Sequence, residues 1–121
     1  MNLEKTLILT DKGKNELWLK NLNEIVYFET EGCSTQFFCC KGKKYILEKR
    51  MTQIEEKLPK ADFFRIHNSW IINVAYVKRV NISKRKVILS TDYNQITLYI
   101  AHRRLKSFLD FMHRRFNILG K

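Results

Sequence analysis

The feature that most limits this chain is the shortness of its apolar runs. From residue 6 to residue 100, apolar or β-branched stretches alternate with polar turns at a spacing of about 8–12 residues. Thr6–Thr10 is turned by DKGK, and Glu16–Lys20 follows. Glu24–Glu29, EIVYFE, is broken by TEGCST, where Gly32 is free to take positive φ. Gln36–Cys40 and Lys44–Leu47 flank CKGK as a hairpin. Val77–Ile82, Val87–Ser90 and Gln95–Ile100 are separated by SKRK and TDYN. Strands this short at this spacing suggest an antiparallel arrangement, so a mainly β fold of small antiparallel sheets is expected. Two segments carry a helical period instead. Met51, Ile54 and Leu58 predict one short helix near 50–58, with Pro59 just past its end. Leu105, Phe108, Leu109, Met112 and Phe116 form a stripe that predicts a C-terminal helix near 103–117. That stripe either docks on a sheet or, widened by Phe111, faces a second copy.

With 121 residues, one Pro and no Gly- or Ser-rich linker, a single domain over 1–121 is expected. The 45% hydrophobic content excludes general disorder. No apolar run approaches the roughly 20 residues that span a bilayer, and the N-terminus lacks the apolar core of a signal peptide. No membrane association and a cytoplasmic location are expected. Three cysteines are an odd count for a disulfide framework, which agrees with a reducing compartment. Cys33, Cys39 and Cys40 lack the second Cys pair or the spaced His of a zinc site, so no metal and no cofactor is expected. Consecutive residues Cys39 and Cys40 point to opposite faces of a strand. Neither a phosphate-cradling Gly loop nor an ordered nucleophile, base and orienting group is discernible, and no enzyme is expected.

Charge is strongly lopsided. Residues 1–62 hold eleven basic and ten acidic residues, whereas residues 63–121 hold twelve basic and two acidic. Nearly all of the net +11 therefore lies in the second half, where it would attract a polyanion.

That half opens on FFRIHNSWIINVAY, residues 63–76, where Arg65, His67, Asn68 and Ser69 form a polar island in an apolar run. The residues permit structural readings. His67 can bond to backbone, Arg65 can pair with a carboxylate such as Glu29 or Glu31, Ser69 can cap a turn at Trp70, and Asn73 can brace the next turn. The run Phe64-Arg65-Ile66-His67-Asn68-Ser69-Trp70-Ile71-Ile72-Asn73, followed by Tyr76-Val77, also resembles the signature of the LytTR DNA-binding domain family. EIVYFE with its turn resembles that family's first core strand and contact loop. GKKYILEKRMTQIEEKLP resembles its strand and short helix, and ITLYIAHRRLKSF its closing strand and Arg-rich segment. The likeness covers about residues 3–110, leaving 111–121 as a helical extension. Ala101 and His102 stand where Ser and Arg are usual, and the contact loop EGCSTQ has no basic residue. Both departures bear on base preference.

The resemblance implies an elongated β fold whose loops enter successive major grooves of double-stranded DNA, in a bacterial transcriptional regulator. It implies the output domain of a response regulator, with an upstream signalling partner or a receiver domain not present here, and two copies on direct-repeat sites. It also places Asn68 at a DNA-contacting position. Side-chain chemistry extends the set. Ser34, Thr35 and Gln36 would form a polar loop tip, and Arg103 and His102 would meet bases or phosphates. Lys78, Arg79, Lys84, Arg85, Lys86, Arg104 and Lys106 would anchor phosphates. An RNA-binding or basic protein-interaction module is the alternative.

Overall fold

Alternation in EIVYFE sends successive side chains to opposite faces, and Ile25–Glu31 forms β3, the middle of a five-stranded sheet. The computed structural model describes residues 6–11 and 16–116. The turn expected at DKGK lies largely outside the described residues, as does the end of the helix expected to reach Asn117. Strands β1 (Thr6–Asp11) and β2 (Glu16–Asn21) pair with each other in a two-stranded antiparallel sheet. In the five-stranded sheet, β4 (Ser34–Cys39) and then β5 (Lys44–Leu47) lie on one side of β3. On its other side lie β7 (Trp70–Asn73) and then β6 (Phe63–His67), and all neighbours are antiparallel. Strands β8 (Val77–Asn81), β9 (Lys86–Ser90) and β10 (Gln95–Tyr99) form a three-stranded antiparallel sheet. Among the described residues the fold is mainly β with two α-helices, as the patterning predicts.

The central sheet has a core on each face. On one, Phe28, Phe37, Phe63 and Ile71 pack under helix α1 (Met51–Lys57), which contributes Met51 and Ile54. Leu58 takes extended backbone angles because the residue before a proline is disfavoured in the helical region, so α1 stops ahead of Pro59. On the other face, Val26, Tyr27, Ile66 and Ile72 meet Val87 and Leu89 of β9, Leu98 of β10, and Phe108. The pairing register shifts between Ile25 and Tyr27, which breaks strict alternation and lets the neighbours Val26 and Tyr27 share one core. Cys39 packs against the first core and Cys40 against the second, as alternation predicts.

The C-terminal stripe docks on the sheet. Helix α2 (Leu105–Arg115) buries Phe108 completely and packs Leu105, Phe111 and Met112 beside it. The Phe64 ring of β6 lies 5.3 Å from the Phe108 ring and 5.1 Å from the Phe111 ring. Aromatic contacts at these distances add roughly 0.5–1.5 kcal/mol each beyond burial. They hold the start of α2 against β6, and that contact builds the site.

Asn73 closes the first half onto the second. Its amide donates to the Ile25 carbonyl at 2.9 Å and the Leu22 carbonyl at 3.4 Å, and its oxygen accepts from the Ala75 N–H at 3.0 Å. It braces the turn into β8, one of the structural readings open from sequence.

Candidate nucleic-acid interface

The polar island is a hairpin turn. His67 pairs with Trp70, leaving Asn68 and Ser69 as the link between β6 and β7. An apolar run that crosses the core twice needs a polar reversal at its tip, and Asn and Ser are common turn residues because their side chains bond to nearby backbone. The Ser69 N–H donates to His67 Nδ1 at 3.1 Å, and the His67 ring sits 4.9 Å from the Trp70 indole. His67 is thus half-buried and bonded to backbone. Ser69 caps nothing at Trp70, which is already paired strand.

Four segments meet at this end, and backbone bonds fix them. The Thr30 N–H donates to the Ser69 carbonyl at 3.0 Å, placing the β3–β4 turn beside the β6–β7 turn. The Ala101 N–H donates to the Ile66 carbonyl at 2.8 Å, and the Ile100 N–H to the Arg85 carbonyl at 2.8 Å. The segment after β10 therefore bridges the β6–β7 and β8–β9 turns before entering a 3-10 turn at His102–Arg104. In the β8–β9 turn, Asn81 accepts from the Lys84 N–H at 3.0 Å, and Arg85 adopts φ 52°. A long cationic residue in the left-handed region carries a backbone cost that Gly or Asn would not.

Asn68 is exposed at the centre, ringed by guanidinium groups. Arg103 Nη2 donates to Asn68 Oδ1 at 2.8 Å, and Arg104 Nη2 lies 3.5 Å from the same atom. Guanidinium can only donate, so the atom facing it must be the amide oxygen. That orientation leaves the Asn68 amide N–H groups without a protein partner among the described residues. Arg65 Nη2 donates to the Asn68 carbonyl at 2.8 Å and Nη1 to Glu55 Oε1 of α1 at 3.1 Å. Arg65 therefore pairs with Glu55 rather than with Glu29 or Glu31. The carboxylate of Glu29 is occupied by Trp70 Nε1 at 2.8 Å and Gln36 Nε2 at 2.6 Å. Arg104 Nη1 reaches the Arg65 carbonyl at 3.3 Å. Burial, then the charges of Arg103 and Arg65, hold the Arg104 guanidinium below the usual arginine value, with Glu55 opposing. It remains charged at any physiological pH.

The family model of the LytTr DNA-binding domain matches residues 15–113. The chain belongs to the LytTR family. Among solved structures it is similar to a LytTr DNA-binding domain from Bacillus cereus, at 17% identity and a TM-score of 0.63, covering 94% of this chain and 98% of that one. At that identity the likeness concerns the fold. No curated protein matches the sequence.

Within this LytTR fold the expected contact residues separate into groups. Asn68, Arg103 and Arg104 are bonded together, and the Arg85 carbonyl accepts from the N–H of Ile100, three residues before Arg103. His102, Lys84 and Lys106 are exposed near them in sequence, and Lys86 Nζ lies 5.8 Å over the Tyr99 ring. Lys78 and Arg79 are exposed on β8, an edge strand. Ser34 is half-buried at the end of the β3–β4 turn.

The polar loop tip needs correction. Thr35 is 0% exposed and donates to the Lys49 carbonyl at 2.7 Å, and Gln36 is 7% exposed and bonded to Glu29. Both are β4 residues paired on two sides, to β3 and β5, so their side chains serve the sheet. The actual tip is Gly32 and Cys33, with Gly32 at φ 61°. Sequence reasoning placed no site role on Arg65, which holds the Asn68 turn to α1. Its position three residues before Asn68, across a tight reversal, was the available signal.

Among the described residues, no His, Cys, Asp and Glu cluster could hold a metal ion, and no helix is long and apolar enough to cross a membrane.

Proposed function

We propose that the protein binds specific sites in double-stranded DNA as a transcriptional regulator. The carrying observation is Asn68, exposed at the tip of a hairpin, its side-chain oxygen held by Arg103 and its amide N–H groups without a protein partner among the described residues. A base edge or a phosphate oxygen is the natural acceptor for those donors. Arg103, exposed beside it, reads guanine or clamps phosphate, and His102 serves either surface more weakly. Arg85, Lys84, Lys86, Lys78, Arg79 and Lys106 neutralise phosphates on either side and set register. Arg104 and Arg65 hold the turn, and Ser34 stands at the margin of the neighbouring turn. In this reading the loops enter successive major grooves, and two copies occupy a direct repeat. An upstream signalling partner or receiver domain would control that occupancy.

Selection of bound duplexes from a random pool, followed by titration of the winner, tests this. Preference for a defined duplex is expected, with log affinity falling by about 0.9 per unit log salt for each phosphate neutralised. Equal or tighter binding of single strands with no selected duplex would overturn it in favour of an RNA-binding or protein-interaction module.

A further inference from the structure

A cavity of about 330 Å³ opens beside the arginine cluster, between α1, β6 and α2. Small-molecule sites typically span about 300–1,000 Å³, so it has room for a compact ligand. The Phe64 and Phe111 rings, tilted 54° to each other, contribute its apolar wall, and Lys60, Arg65, Arg104, Arg114 and Glu55 line it as well. Four cations against one carboxylate, already paired with Arg65, leave a strong demand for an anion. Geometry sharpens that demand. The Nε–H groups of Arg65 and Arg104 are both shielded from water and have no hydrogen-bond partner. Native structures rarely leave such donors unmet. Both guanidinium groups would gain an acceptor by turning toward an anion in the cavity.

We propose that this cavity binds a small organic acid, a carboxylate on an aromatic body, and that its binding loosens the clamp on Asn68. The carboxylate bridges Arg65 and Arg104, and the ring system lies on Phe64 and Phe111. The same two guanidinium groups donate to the Asn68 carbonyl and side-chain oxygen, so a carboxylate that recruits them competes directly with the hairpin turn. The site is thus wired to the tip that Asn68 occupies, through shared donors rather than through a long pathway. The inference goes beyond DNA recognition and requires none.

The test is a titration of isotope-labelled protein, without DNA, followed by amide NMR. The probe is 2-naphthoate, with 2-naphthamide as the neutral control and inorganic phosphate as an anion lacking the ring. Saturable shifts are expected at Phe64, Phe111, Asn68 and Ser69, with 2-naphthamide and phosphate at least about tenfold weaker. In K60E/R114E, which reverses two exposed rim charges, 2-naphthoate should also weaken about tenfold. No saturation with 2-naphthoate, equal binding of the amide, or saturation that leaves the Asn68 and Ser69 amides unmoved would overturn the proposal. Should the double variant fail to fold, the naphthoate–naphthamide comparison on the natural protein decides alone. Because no DNA is present, failure here leaves the DNA reading standing, and failure of that reading leaves this one standing.

Discussion

Asn73 ends β7 and Asn68 lies in the turn that leads into it, and the two serve opposite purposes. Asn73 is 4% exposed and directs both donors and its acceptor into the backbone of its own chain. Asn68 is exposed, and only its oxygen is engaged, by arginines. The β3–β4 and β6–β7 turns differ in the same way. Beside the first, Thr35 and Gln36 are sealed into β4, whereas the second is surrounded by Arg65, Arg103 and Arg104. A polar side chain marks an interface when its hydrogen-bonding capacity is left over after the fold has been satisfied. Residue type alone does not distinguish the two cases.

The largest effect should come from Asn73→Leu, which removes the Asn73 partner of the buried Ile25 carbonyl and of the Ala75 N–H, while the Leu22 carbonyl keeps the Ile25 N–H. A loss of about 3 kcal/mol in urea unfolding is expected. A loss below about 1 kcal/mol would erase the contrast between the two asparagines. Next, Asn68→Ala and Arg103→Ala should each cost roughly 1–3 kcal/mol of affinity for the selected duplex, by fluorescence anisotropy. Stability should stay within about 0.5 kcal/mol, as for other exposed positions. Their double variant should lose less than the sum, since the two side chains are bonded at 2.8 Å. Full additivity would mean that Asn68 and Arg103 act separately. Gln36→Ala should sharpen the turn comparison with about 1 kcal/mol of lost stability and an unchanged sequence preference. A changed preference would return Gln36 to the interface. The smallest effect belongs to Lys84→Ala, which should weaken all duplexes alike and lower the salt slope by about 1.

Much of the fold was legible because its signals are local. EIVYFE, Gln95–Ile100 and the Met51–Ile54–Leu58 spacing each announce an element within a few residues, and the observed bounds differ only at the ends. FFRIHNSWIINVAY was harder. Its apolar character on both sides of the island reads as continuous, and only the pairing of β6 with β7 reveals a reversal. Thr35 and Gln36 were misread for a related reason. A polar stretch after a glycine looks like a loop until β5 covers its far edge.

The chain's own residues determined which segments alternate as strands, where the helices lie, and that positive charge gathers after residue 62. Those properties depend on neighbours two to four positions apart or on simple counting. Tertiary structure alone decided that Arg65 meets Glu55, that Arg103 reaches Asn68, and that Asn73 belongs to the interior. Such partnerships depend on register, where a shift of one residue, as at the irregularity between Ile25 and Tyr27, changes which face a side chain joins.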